Sequence, residues 1–205
     1  MSSLLVISNK ALSKLGVKNI RSLTEQGKVA ARCNEHVRQA VKEVLRQHTW
    51  SHAAVWASLP QLAVGPPFGY EHAYQAPMET EKVFDVRQLE DLAAPKIDFE
   101  MVRGKVIYTD AEPCYARYIV YNEADLAQAP ADFVDTCAFK LASEIAVPLS
   151  KTNMQPNMNS GYLYTLREAR TSDTRSSRER KTDENRECKF LSVRHFPSSA
   201  DAEVY

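Results

Sequence analysis

Leu4, Leu5, Ile7, Ala11, Leu12 and Leu15 recur at three- and four-residue intervals, so one face of residues 3–15 is apolar and the spacing predicts a helix. Gly16 follows where helices commonly end in a left-handed residue, a conformation that glycine adopts without a Cβ clash. After a short turn carrying Ile20 and Leu23, a second and longer stripe runs through Val29, Ala30, Cys33, Val37, Val41, Val44 and Leu45. It predicts a helix capped by Thr24 and reaching about His48, with Lys28, Arg32, Glu35, Arg38, Lys42 and Glu43 on its polar side.

The period changes after Trp50. Tyr70, His72 and Tyr74 alternate with Glu71, Ala73 and Gln75, and the pattern stops at Pro77. EKVFDV, FEMV, KVIYTD and CYARYIVY are short aromatic and β-branched runs, the chemistry of strands, and a further strand is expected around Val55 to Leu59. Arg103-Gly104, between FEMV and KVIY, reads as a tight hairpin turn. Helical spacing returns at Phe133, Val134, Cys137, Ala138, Leu141, Ile145 and Ala146, with Pro130 ahead of the helix and Pro148 set to break or kink it. KTNMQPNMNSG reads as a loop, after which Tyr162, Leu163, Leu166 and Ala169 begin a fourth helix. Beyond Thr171 charges alternate with small polar residues, so this stretch is expected to be a frayed helical extension or disordered on its own, ending in an apolar cluster of Phe190, Leu191, Val193 and Phe196.

These elements define an α+β fold: a four-helix bundle layer with an inserted small antiparallel β domain and an extended C-terminal arm. The expected boundaries are 1–50 and 130–176 for the helical domain, 51–129 for the β insert, and 177–205 for an arm that orders on a partner.

Charge changes the functional picture more than composition does. The chain carries 26 basic and 26 acidic residues, so its total gives no pull toward a polyanion or an anionic membrane. No stretch approaches the roughly 18 apolar residues of a membrane span, and the N-terminus lacks the basic start of a signal peptide. The four cysteines, at 33, 114, 137 and 188, are far apart in sequence and read as thiols of a reducing cytosol.

Candidate chemistry is sparse. His48 and His52 flank Trp50 at helical spacing, and Cys33 and His36 are three apart, yet neither pair is joined by further ligands at a metal-site spacing. Cys33 and Cys137 fall on apolar stripes, there is no Gly-x-Ser-x-Gly elbow and no glycine-rich phosphate loop, and the carboxylates do not declare a pair. No enzyme activity, metal or cofactor is therefore expected. Arg38, Lys42 and Arg46 form a basic ridge on the second helix, which leaves a small DNA-binding or regulatory protein as the alternative.

Taken in order, the residues resemble one family. The run from Leu15-Gly16 through Ile20, Leu23, Ala31, Cys33, Val37, Leu45-Arg46, Trp50, Ala53 and Leu59 to Gly69-Tyr70, Tyr74 and Pro77 is similar to the head-to-tail connectors of tailed bacteriophages, the adaptors called tail tubular protein A. RGKVIYTD, Tyr118 to Tyr121, Pro130, Phe133, Leu141-Ala142, Ile145-Ala146 and GYLYTLREARTSDTRS continue the same order, so the resemblance spans roughly residues 4 to 176.

The resemblance implies a structural virion protein. Such adaptors form a twelve-subunit ring below the portal, extend the channel through which the genome leaves without binding it specifically, and carry the tail nozzle (tail tubular protein B-like) and in many cases fibres. The expected location is the neck of the virion, with assembly in the host cytoplasm and no membrane. Members commonly dock a C-terminal segment on the portal, which here assigns Arg178, Arg180, Phe190, Leu191, Val193 and Phe196 to that contact. Trp50, Trp56, Tyr70 and Tyr74 are the expected core of the junction between helices and β module.

Overall fold

The computed structural model describes residues 3–89, 95–102 and 105–182, with side chains placed as far as residue 177. The protein is of the mixed α+β class. The first helix, α1 (Ser3–Lys14), buries Leu4, Ile7, Ala11 and Leu12. It closes as the sequence suggests: Val17 N–H donates to the Leu12 carbonyl (2.9 Å) and Gly16 N–H to that of Ser13 (3.1 Å), around a left-handed Gly16 at φ 64°.

The second helix, α2 (Lys28–Arg46), begins three residues later than Thr24 would have started it. Thr24 does not cap it, because its hydroxyl pairs with that of Ser22 at 2.9 Å and its N–H also turns to Ser22. Glu25 is likewise turned away from the helix, accepting the Arg21 N–H at 2.7 Å. Gly27 (φ 145°) occupies the capping position, its backbone in a region open to glycine.

Helix α3 (Ala131–Ile145) starts directly after Pro130, whose missing N–H costs nothing there and whose carbonyl accepts from Val134 at 3.1 Å. It ends before Pro148, as a residue without an N–H requires. The segment expected as a loop is a correction: α4 (Gln155–Thr182) already includes residues 155–161. Pro156 falls in its first turn, where no intrahelical donor is needed, so the proline starts the helix and does not exclude it. The same helix continues through the polar stretch to Thr182.

Among the described residues, six strands form two antiparallel sheets. In the first, β1 (Ala54–Ser58) and β3 (Thr80–Arg87) flank β6 (Tyr115–Val120); in the second, β2 (His72–Gln75) and β4 (Phe99–Val102) flank β5 (Val106–Thr109). The hairpin between β4 and β5 is in the expected register, Val102 opposite Val106, while Arg103 and Gly104 lie outside the described residues.

The two sheets meet at two corners. The chain leaving β1 bonds first to the first sheet through Leu59 N–H and the Cys114 carbonyl, then to β2 through Pro60 and Leu62. At the other corner, Ile97 N–H donates to the Val86 carbonyl of β3 at 3.0 Å. The strands therefore curl toward a small barrel around Leu59, Tyr74, Val83, Val86, Ile107, Cys114, Ala116 and Tyr118.

A second and larger core lies among α1, α2 and α3 and takes in Met158, Leu166 and Ala169 of α4. It continues onto the first sheet through Ala53 and Ile119. Helices and sheets belong to one compact unit ending at Arg170; residues from Thr171 form another.

Candidate functional site

Where the long helix hands over to the sheet, Trp50 is buried to 1% exposure. Its indole N–H donates to the Val44 carbonyl at 2.9 Å, a second donor to a group that also accepts the Gln47 N–H at 3.1 Å at the helix end. Phe133 of α3 meets the ring edge-on at 5.0 Å, His48 does the same at 5.0 Å, and His52 lies 4.6 Å from Phe133. His48 and His52 are thus members of an aromatic cluster around Trp50 and not bystanders. No three histidine, cysteine, aspartate or glutamate side chains converge to hold a metal among the described residues.

The other three residues expected at this junction sit elsewhere. Tyr74 belongs to the barrel core, where its hydroxyl donates to the Ala111 carbonyl at 2.7 Å. Tyr70 is only half-buried, in the loop before β2. Trp56 is 38% exposed on the edge strand β1, flanked by the guanidinium groups of Arg87 (5.4 Å) and Arg117 (5.9 Å). Strand alternation explains the correction: Ala54 and Trp56 share one face of β1, and the helical core covers Ala54 and stops short of Trp56.

The basic ridge is occupied from within. Arg38 donates to Glu123 at 2.8 Å, Lys42 lies 3.1 Å from Glu81, and Arg46 lies 2.6 Å from the other oxygen of the same carboxylate. The Glu81 side chain is 4% exposed, so this one residue of β3 is enclosed between two cations of α2 and ties helix to sheet. The hydrogen bond to Glu123 raises the Arg38 pKa, as expected of a committed ion pair.

A second network joins α2 to α3. Lys140 lies 2.7 Å from Glu43 and 3.1 Å from Glu144, and His36 is 4.0 Å from Glu144. Its hydrogen bond to Lys140 holds the Glu43 carboxyl below the usual range, whereas burial pushes that of Glu144 up. These residues bridge two packed helices.

Burial raises the thiols of Cys33 and Cys114 to about 11 and that of Cys137 further still, which suppresses the thiolate a nucleophile needs. Those three cysteines are expected to resist alkylation in the native protein and to react together when urea unfolds it. Peptide mass mapping after timed iodoacetamide exposure checks this, and early labelling at any of the three positions counts against it. The fourth, Cys188, lies outside the described residues, as do Phe190, Leu191, Val193 and Phe196. Arg178 and Arg180 fall in the last turns of α4, beyond the placed side chains.

No described helix is long and apolar enough to cross a membrane. What fold and site define is a mixed α+β protein whose ionic contacts couple its helices to one another and to a curled pair of sheets. No family model matches the chain, and no curated protein matches it.

Proposed function

We propose that this chain is a ring-forming adaptor of a tailed bacteriophage, joining the portal to the tail nozzle and extending the DNA channel. The observation that carries the reading is the ordered resemblance over residues 4 to 176, whose positions are structural ones. Leu15-Gly16 caps α1, Trp50 locks the end of α2, Tyr74 fills the barrel, and Phe133, Leu141 and Ile145 lie in the helical core. In this reading the four helices form one layer, the curled sheets are an insert, and the segment after residue 176 is an arm that orders against the portal. Neutral total charge suits a lumen that must let DNA slide. The alternative of a DNA-binding regulator loses support because its ridge is engaged by Glu81 and Glu123.

The direct test mixes the purified protein with the cognate portal ring and resolves the products by size exclusion and particle imaging. A stacked ring beneath the portal is the expected result; a folded protein that leaves the portal bare overturns the reading. Ending the chain after Arg175 is expected to leave a folded monomer that no longer joins portal-bearing heads. Normal joining by the truncated chain removes the arm from the mechanism.

A further inference from the structure

Two surface features of this chain are chemically complementary and unmatched among the described residues. The first is the outer face of β1. Bonds from Val120 N–H to the Ala53 carbonyl and from Leu59 N–H to that of Cys114 fix the alternation, so odd residues of β1 face β6. The N–H and C=O groups of Ala54, Trp56 and Ser58 consequently point to an open edge. Trp56, exposed on this outer strand, presents its ring beside the guanidinium of Arg117 on the adjoining β6, and no ion pair joins Arg117 to a carboxylate among the described residues. Asp85, opposite Arg117 in the β3–β6 register, pairs through Oδ2 with Arg87 (3.0 Å) and Lys96 (3.4 Å), so among the described residues here three cations share one carboxylate.

The second feature is the tip of the loop between β1 and β2, where Val64 and Phe68 are 80% and 82% exposed. Pro66 and Pro67 precede Phe68 and fix φ at two positions, so this apolar tip has less backbone freedom to lose on docking. Beside it stands an acidic corner: Glu71 and Glu112, with side chains 80% and 61% exposed, and Asp110, which receives the Glu71 N–H at 2.9 Å. The basic group facing these carboxylates is His72, 3.2 Å from Glu112 and 4.0 Å from Glu71. Among the described residues, this corner therefore sets three carboxylates beside one imidazole.

We infer that the Pro66–Glu71 tip of one copy of this chain docks on the Trp56–Arg117 edge of the next, as the head-to-tail contact of a ring. A second copy is the occupant because the chain carries both halves: an apolar, carboxylate-bearing tip, and an aromatic, cationic edge in which the described cations outnumber the one carboxylate, Asp85. A contact between different patches is heterologous, the kind that builds rings. The inference deepens the adaptor reading by naming its subunit interface.

Cysteine trapping tests it, in full-length protein carrying Cys188→Ser. Ser58→Cys marks the edge and Val64→Cys the tip; both positions are exposed and leave Trp56, Arg117 and Phe68 in place. Mild oxidation of concentrated protein is expected to give a disulfide-linked dimer when the two single variants are mixed, little in either alone, and a ladder of higher species from the double variant. Glu71→Arg in the tip partner should cut the mixed dimer by roughly tenfold, the weight of an interfacial ion pair, and Arg117→Glu in the edge partner should restore it. Equal trapping in the single variants, or no mixed dimer in any combination, overturns the contact. A portal complex without the mixed disulfide removes this interface and leaves the adaptor reading standing; the disulfide without portal binding does the reverse.

Discussion

Trp50→Ala is expected to cost the protein about 3–5 kcal/mol, the range for truncating a fully buried aromatic side chain. Three losses coincide at this position. The indole leaves a void beneath the end of α2, Phe133 loses its edge-on partner, and the Val44 carbonyl loses a donor in a dry environment. Against a typical total of 5–15 kcal/mol, such a loss removes much of the stability and should appear as a large fall in urea midpoint. Trp56→Ala is the internal control, because its ring is 38% exposed and its removal opens no cavity; its cost should stay within about 1 kcal/mol. Equal costs for the two tryptophans, or less than about 1 kcal/mol for Trp50, would sink the account of Trp50 as the lock between helix and sheet.

That contrast also marks where the sequence stops being informative. The helical stripes around Val37 and Leu141 and the β-branched runs were legible because burial imposes a period, and the Leu15-Gly16 ending was legible because few residues accept a left-handed backbone. Thr24 was misread because a hydroxyl can bond Ser22 as readily as a helix end, and sequence alone does not say which it chooses. The start of α4 was missed because Pro156 marks both loops and first turns. Trp56 was grouped with Trp50 on residue type alone, although the strand's alternation and the extent of the helical core place it outside.

Long-range pairings were the least legible of all. Nothing near Arg38, Lys42 or Arg46 announces Glu81 or Glu123, yet those partners turn a candidate DNA surface into a tie between α2 and the β region. The Pro66–Glu71 tip and the Arg117 edge are individually unremarkable as sequence. Only the fold shows that each is left without a match among the described residues.

Gly161→Ala is expected to destabilise the protein by about 1–3 kcal/mol, although helix propensity taken alone favours alanine by about 1 kcal/mol. A Cβ built at Gly161 would lie 2.5 Å from Cε1 and 2.7 Å from Cδ1 of Phe139, well inside contact distance. The ring has restricted room to withdraw, since the Lys14 ammonium sits 3.8 Å from its centroid. Phe139 is thus engaged by α1 and α4 at once, and glycine is what lets α4 approach α3 so closely. Propensity and packing oppose each other here, and the sign of the measured change tells which prevails. In a Phe139→Ala background the obstruction is gone, so the same Gly161→Ala change should become neutral or stabilising by up to about 1 kcal/mol. A thermal and urea double-mutant cycle measures the difference; if Gly161→Ala stabilises the otherwise unaltered chain, α4 does not depend on this close approach, and the packing of α4 on α3 must rest on Met158, Leu166 and Ala169 instead.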